Sequence, residues 1–297
     1  MKSQLLYEYK NGNYTVRLYS DGTKIRTTME DDFVPSFPES MDINISNKCS
    51  NNCPFCYINA SEKGEHGDLE LPFFNTIPKG VEIAINYADH PGLPAFLDKM
   101  KEQGAVVNIT VNQKDLIKDG VLDFLINAQN EKKIYGIGVS AISYSLELAS
   151  ALSKLKNVVL HLVLGVVSFD DIESWKNQNR KVLFLGYKTK GRGVEYKTSD
   201  VYLNINEVKN RYDEMSKWFN VLCFDNLALD QIDVKSKVPS DRWENLFLGD
   251  DGQFSFYIDT VSKTFNISSN TSDETKMSIN GMTVKEMFDK ILETHKK

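Results

Sequence analysis

The chain has 297 residues, 41% hydrophobic and 26% charged, with a formal net charge of −6 and four cysteines. That length holds one large α/β domain or two small ones, and that balance belongs to a soluble globular protein. The acidic excess argues against broad nucleic-acid or anionic-membrane binding, no apolar run reaches membrane-spanning length, and so few cysteines do not make a disulfide framework.

Residues 1–40 read as small antiparallel strands. Asn11-Gly12 and Asp21-Gly22 are strong hairpin-turn signals, and the proline-bearing stretch 31–40 reads as a connector. This β-hairpin appendage is expected to cover one end of the main domain. From residue 41 strands alternate with helices. Strands are expected at 41–46, 81–86, 105–111, 135–140, 157–167 and 181–187, and helices near 92–103, 114–129, 143–155 and 169–177. The strands read as nearly continuous apolar runs, which predicts a parallel sheet covered by helices. Repeated βα units imply a doubly wound sheet or a barrel. Beyond Lys188 a helix is expected at about 205–219, followed by an apolar run at 219–232. The C-terminal extension reads as a β-hairpin within 249–269 and a last helix capped by Thr283. The expected division is 1–40, 41–235 and 236–297. A start without a signal-peptide core and clustered cysteines suited to a reducing compartment lead us to expect a cytoplasmic protein.

Three of the four cysteines, Cys49, Cys53 and Cys56, fall within eight residues as C-x3-C-x2-C, directly after the first βα strand. Thiolates gathered on one short loop suit zinc, copper(I) or iron–sulfur. A structural zinc site needs a fourth protein ligand. His66 is the nearest candidate, yet no second ligand follows it at zinc-finger spacing. Cys223 lies far downstream in an apolar run and reads as a buried small residue. Its functional alternative is a thiol that returns a hydrogen atom to a substrate radical. Three ligands on a four-iron cube leave one iron open.

With Phe55 as the aromatic before the last cysteine, this loop resembles the signature of the radical SAM superfamily. The resemblance is specific at the cysteines and architectural over roughly 41–230. It implies a partial (β/α)6 TIM-like barrel, and a [4Fe–4S] cluster on Cys49, Cys53 and Cys56. It also implies S-adenosylmethionine (SAM) chelated to the open iron, with Phe55 beside its adenine. Reductive cleavage of SAM to a 5′-deoxyadenosyl radical would follow, fed by an electron donor such as flavodoxin or ferredoxin.

In parallel βα folds function collects at the carboxyl ends of strands. After the first strand the polar loop 58–71 carries His66 and Asp68 and is long enough to fold over a cluster; His66 reads either as functional or as an exposed loop histidine. At the second strand, Asn86, Tyr87, Ala88 and Asp89 stand where the superfamily has a Gly-Gly-Glu-like motif for the amino group of SAM. Asn86 or Asp89 can supply acceptors there, without the close backbone approach of glycine. Asn112 and Ser140, ending the third and fourth strands, suit ribose hydroxyls or simply cap helices. Gly165 reads as a close approach within the fifth strand, and His161 beside it as a core histidine. Lys188, Lys190 and Arg192, interleaved with glycines, read as a flexible cationic loop for a phosphate or carboxylate, or as a solvated turn. The expectation is a radical SAM enzyme acting on a small, anionic or nucleotide-like substrate. The alternative is a non-catalytic iron–sulfur protein on the same scaffold. No second cysteine cluster supports a peptide-maturing enzyme with auxiliary centres.

Overall fold

Both expected turns fold the first strands. Strands β1 (Leu5–Asn11), β2 (Tyr14–Tyr19) and β3 (Lys24–Thr28) form an antiparallel meander in that order, with Gly12 and Gly22 at positive φ. The structure is a computed structural model describing residues 3–87 and 89–295, so Ala88 of the second-strand motif lies outside the described residues.

A second, larger sheet follows. Its strands are β4 (Ser40–Asn44), β5 (Glu82–Asn86), β6 (Val106–Asn112), β7 (Gly136–Ser140), β8 (Val158–Val163), β9 (Lys181–Leu185) and β10 (Val221–Phe224). Three more belong to it: β11 (Ser255–Asp259), β12 (Thr264–Asn266) and β13 (Met277–Ser278). The order is β10-β9-β8-β7-β6-β5-β4-β11-β12-β13. All neighbours from β10 to β11 are parallel, whereas β12 and β13 are antiparallel additions. The ladder is open, with β10 and β13 as its ends. Six expected βα strands are thus seven, because Val221–Phe224 within the apolar run is a strand. The expected C-terminal hairpin is present as β11 and β12, but β11 is inserted beside the cysteine-bearing strand β4, in register from Ser40↔Ser255 to Asn44↔Asp259.

Side chains on a strand alternate between faces, and here the two faces differ sharply. Met41, Ile43, Ile83, Ile85, Val107, Ile109, Val111, Ile137, Val139, Leu160, Leu162, Val182 and Phe184 form the buried face. Helix Leu93–Gln103 packs there through Leu93, Phe96, Leu97 and Met100, an i, i+3, i+4, i+7 stripe. Each such side chain contributes roughly 1.5–3 kcal/mol when fully buried. On the other face stand Asp42, Ala84, Asn108, Thr110, His161 and Leu183, all reached by water. The strands are therefore not continuous apolar runs: alternate positions line an accessible inner face.

The meander closes the amino-terminal end of that face. Glu39, only 1% exposed, accepts from Arg26 Nε at 2.7 Å and Arg26 Nη2 at 3.0 Å, and from the Tyr14 hydroxyl at 2.7 Å. Lys24 bridges Glu39 and Glu82, and Lys181 Nζ donates to the Asp21 carbonyl. The expected appendage thus caps the end opposite the cysteine loop. The last helix, Val284–His295, starts with a capping box: Glu286 N–H donates to Thr283 Oγ1, and Glu286 Oε2 accepts from Thr283 N–H.

Candidate active site

The cysteine loop leaves the carboxyl end of β4 and is held by one internal bond and by its neighbours. Cys49 N–H donates to the Ser61 carbonyl at 2.9 Å, and Cys56 N–H to the Cys53 carbonyl at 3.2 Å. Arg192 clamps the loop from across the sheet. Its Nε donates to the Cys53 carbonyl at 2.8 Å, its Nη2 to the Ala60 carbonyl at 3.0 Å, and its backbone N–H to the Cys56 carbonyl at 3.0 Å. Gly191, at φ +54°, passes so close that a Cβ would stand 2.6 Å from the carbonyl oxygens of Cys56 and Tyr57; only glycine fits there. Phe55 packs edge-on to Tyr196 with ring centroids 5.8 Å apart. A cleft of about 380 Å³ lies beside this junction, lined by Asn52, Pro54, Arg192, Glu195 and Tyr196.

All three cysteines are free and partly buried. Asn112, at the end of β6, caps the helix Gln113–Leu116 through Lys114 N–H and points its Nδ2 at Cys53 Sγ, 3.8 Å away. An amide N–H aimed at sulfur favours a thiolate. Burial and the neighbouring Cys56 and Cys49 push the Cys53 thiol up, with Lys114 and Arg192 opposing; a bound metal cation favours the thiolate. Among the described residues no three His, Cys, Asp or Glu side chains converge as on one metal ion. Thiolates on one zinc, each about 2.3 Å from it, must crowd together, whereas cubane ligands bind separate irons. Three thiols on one short loop are a soft donor set of the kind that iron–sulfur clusters use.

The remaining sequence candidates divide. Asn86 has both ends of its amide committed: Oδ1 accepts from Ile45 N–H at 2.8 Å and Nδ2 donates to the Ser46 carbonyl at 3.0 Å. It splices β4 to β5 where regular pairing stops. Tyr87 is half-buried against Phe124 and Asp89 is exposed. Ser140 ends β7 on the inner face beside His161. Gly165 lies in the turn after β8, not within the strand, and faces Val201, which a Cβ would meet at 2.6 Å. It receives a helix, not a ligand. His66 Nδ1 shares a hydrogen bond with Ser46 Oγ at 3.0 Å, and its ring lies 4.7 Å from that of His90. Burial, with His90 nearby, holds the pKa of His66 down. Cys223 is exposed, not buried: it pairs with Leu183 and so stands on the accessible inner face.

The cationic loop is not flexible. Besides the Arg192 clamp, Lys190 Nζ bonds Asp273 Oδ1 at 2.8 Å and the Thr271 carbonyl at 2.7 Å. Lys188 Nζ bonds Ser269 Oγ at 2.6 Å and sits 4.2 Å above the Tyr57 ring. Burial lowers the Lys188 pKa against the pull of Asp225, Asp42 and Asp251. Sequence reasoning passed over Asp42, Tyr57 and Tyr257. Asp42 was hidden in a strand motif that reads as ordinary alternation, and a charged residue at its centre was the available signal.

No known protein family and no curated protein matches the chain. Among solved structures, it resembles SuiB of Streptococcus suis, crystallised bound to precursor peptide SuiA, with a TM-score of 0.60 and 13% identity. The match covers 86% of this chain and 65% of that one, so the chain spans less than two thirds of SuiB. At this identity the likeness establishes a shared fold.

Proposed function

We propose that the chain is a radical SAM enzyme in which Cys49, Cys53 and Cys56 hold a [4Fe–4S] cluster and SAM binds beside it at the cysteine mouth. The carrying observation is the C-x3-C-x2-C loop, clamped at the carboxyl end of β4 by Arg192 and aligned with Asn112. The fold shared with SuiB is compatible with this reading. Together the two cofactors supply one-electron cleavage of the SAM carbon–sulfur bond and hydrogen abstraction from an unreactive position. The chain's own part is positional. Arg192 and Gly191 fix the loop backbone, Asn112 offers an N–H to sulfur, and Phe55 offers a ring for adenine. The meander shuts water out from the opposite end. Cys223 is the one cysteine of these 297 residues outside the loop, and a small-molecule substrate is kept as part of this proposal.

A second reading, a non-catalytic iron–sulfur protein, is favoured by one observation. Asn86, at the place of the amino-group motif, is fully engaged by Ile45 and Ser46. Anaerobic reconstitution with iron and sulfide, then SAM and dithionite, separates the two. Production of 5′-deoxyadenosine above a Cys56→Ala control is expected for the enzyme. A full iron load with no 5′-deoxyadenosine assigns the second reading, and a colourless protein without iron overturns both.

A further inference from the structure

The inner face of the sheet carries an uneven set of charges below the cysteine mouth. Asp42 stands at the middle of β4, enclosed by surrounding elements yet accessible to water. Its carboxylate has no hydrogen bond and no ion pair among the described residues, and burial pushes its pKa up while Lys188 pulls it down. Asp225 and Asp251 share the same space and act on both groups. Their own partners are uncharged: Asp225 Oδ1 accepts from Gly186 and Ala228 N–H, and Asp251 Oδ1 from Asn226 Nδ2. Among the described residues Lys188 is the one cation that lowers the pKa of Asp42, while Asp225 and Asp251 raise it. Arg192 and Lys190 are held by the cysteine loop and by Asp273.

An independent observation points the same way. Asn44, two residues along β4 on the same face and 5% exposed, buries its Oδ1 without a donor. Its Nδ2 is turned to Asn47 and Asp259 instead. An orphaned acceptor and a carboxylate without a hydrogen bond, two residues apart on one face of a strand, are costly unless a donor arrives. A strand position that breaks local rules at such a cost marks function. The space already accommodates one ammonium, that of Lys188 over Tyr57, and the carboxylate majority repels an anion.

We propose that this inner face binds a substrate bearing an ammonium or guanidinium group, with Asp42 as its acceptor, in place of the phosphate or carboxylate that the basic loop suggests. The inference rests on reading this face as the substrate side of the proposed enzyme. Opposite charge drives recognition here, and the Tyr57 ring, over which the Lys188 ammonium already lies, supplies a wall for an alkyl amine.

The test is calorimetric titration of the anaerobically purified protein with agmatine and with 1,5-diaminopentane, and separately with inorganic phosphate. Saturable binding of at least one diamine is expected, weakened about tenfold or more in Asp42→Asn, with no saturable heat from phosphate. The Asp42→Asn protein should unfold in urea at or above the wild-type midpoint, which shows that the loss is not a folding defect. Absence of binding by both diamines overturns the proposal, as does equal affinity in Asp42→Asn. Saturable phosphate binding that Lys188→Met abolishes also overturns it and restores the anionic substrate. The titration needs no SAM turnover. A protein that makes no 5′-deoxyadenosine but binds a diamine through Asp42 loses only the enzymatic reading, and the converse loses only this one.

Discussion

Glu39 and Asp42 lie on one short stretch of chain and live in opposite circumstances. Glu39 is sealed under the meander with Arg26, Lys24 and Tyr14 all turned to it. Asp42 stands in the water-reached interior with nothing turned to it. A buried charge with a full set of partners is a fastening, and removing one member strands the rest. An enclosed charge without partners fastens nothing and is kept for something outside the fold. The same contrast separates the two ends of the inner face. The amino end is closed by side chains that satisfy one another. The carboxyl end is bordered by a loop whose backbone carbonyls are clamped by Arg192 and whose Cys53 sulfur receives only the Asn112 amide.

The strongest way to break this contrast is at Glu39. Glu39→Ala takes the acceptor from Arg26 Nε and Nη2 and from the buried Tyr14 hydroxyl, leaves Lys24 to Glu82 alone, and should cost roughly 3–5 kcal/mol in urea unfolding. Asp42→Asn should cost nothing. Equal losses at both sites would remove the distinction. A second effect is expected with pH. Burial on the inner face lowers the pKa of His161 to about 4, against about 6.5 in the unfolded chain. The unfolded chain therefore takes up the proton first as pH falls. The stability due to the neutral ring is complete above about pH 6.5 and declines towards pH 4, at most about 1.4 kcal/mol per pH unit. Urea midpoints between pH 7 and 5 should fall less steeply in His161→Leu than in wild type.

Smaller changes sharpen the carboxyl end. Gly191→Ala should lose roughly 1–3 kcal/mol from strain at positive φ and from the clash with two loop carbonyls, and should lower the iron retained after reconstitution. Gly120→Ala is its control, since Gly120 also has positive φ but nothing within 4 Å of an added Cβ. It should carry strain alone and leave iron content unchanged. Asn112→Ala removes a helix cap, at about 1 kcal/mol, together with the N–H aimed at Cys53. Its iron content should fall while its unfolding midpoint moves little.

Much of the scaffold was legible because β4 to β9 put Ile, Val and Leu at alternate positions, and capping residues followed several of them. Ser145, Ser168 and Asp225 each accept a backbone N–H at the start of the next helix. The cysteine loop was legible from spacing alone. What escaped depends on pairing between distant segments. Cys223 looked buried by composition, whereas its pairing with Leu183 puts it on the accessible face of the sheet. Asn86 looked like a ligand by its place after a strand, whereas the amide splices two strands. The basic run Lys188–Arg192 looked like a mobile anion trap, and three different partners hold it still. Asp42 was invisible for the opposite reason: nothing in a five-residue strand says which face will be left wet.

The insertion of β11 beside β4 has a consequence for how the molecule is made. Asn44 and Asp259, neighbours across that seam, are separated by 215 positions in the chain. Until the later segment is synthesised, one side of the strand that leads into the thiols presents bare amides and carbonyls, an invitation to wrong pairing. A contact of such long range forms slowly. Biogenesis of this protein is therefore a race between the arrival of its own late strand and capture of that early margin by another chain.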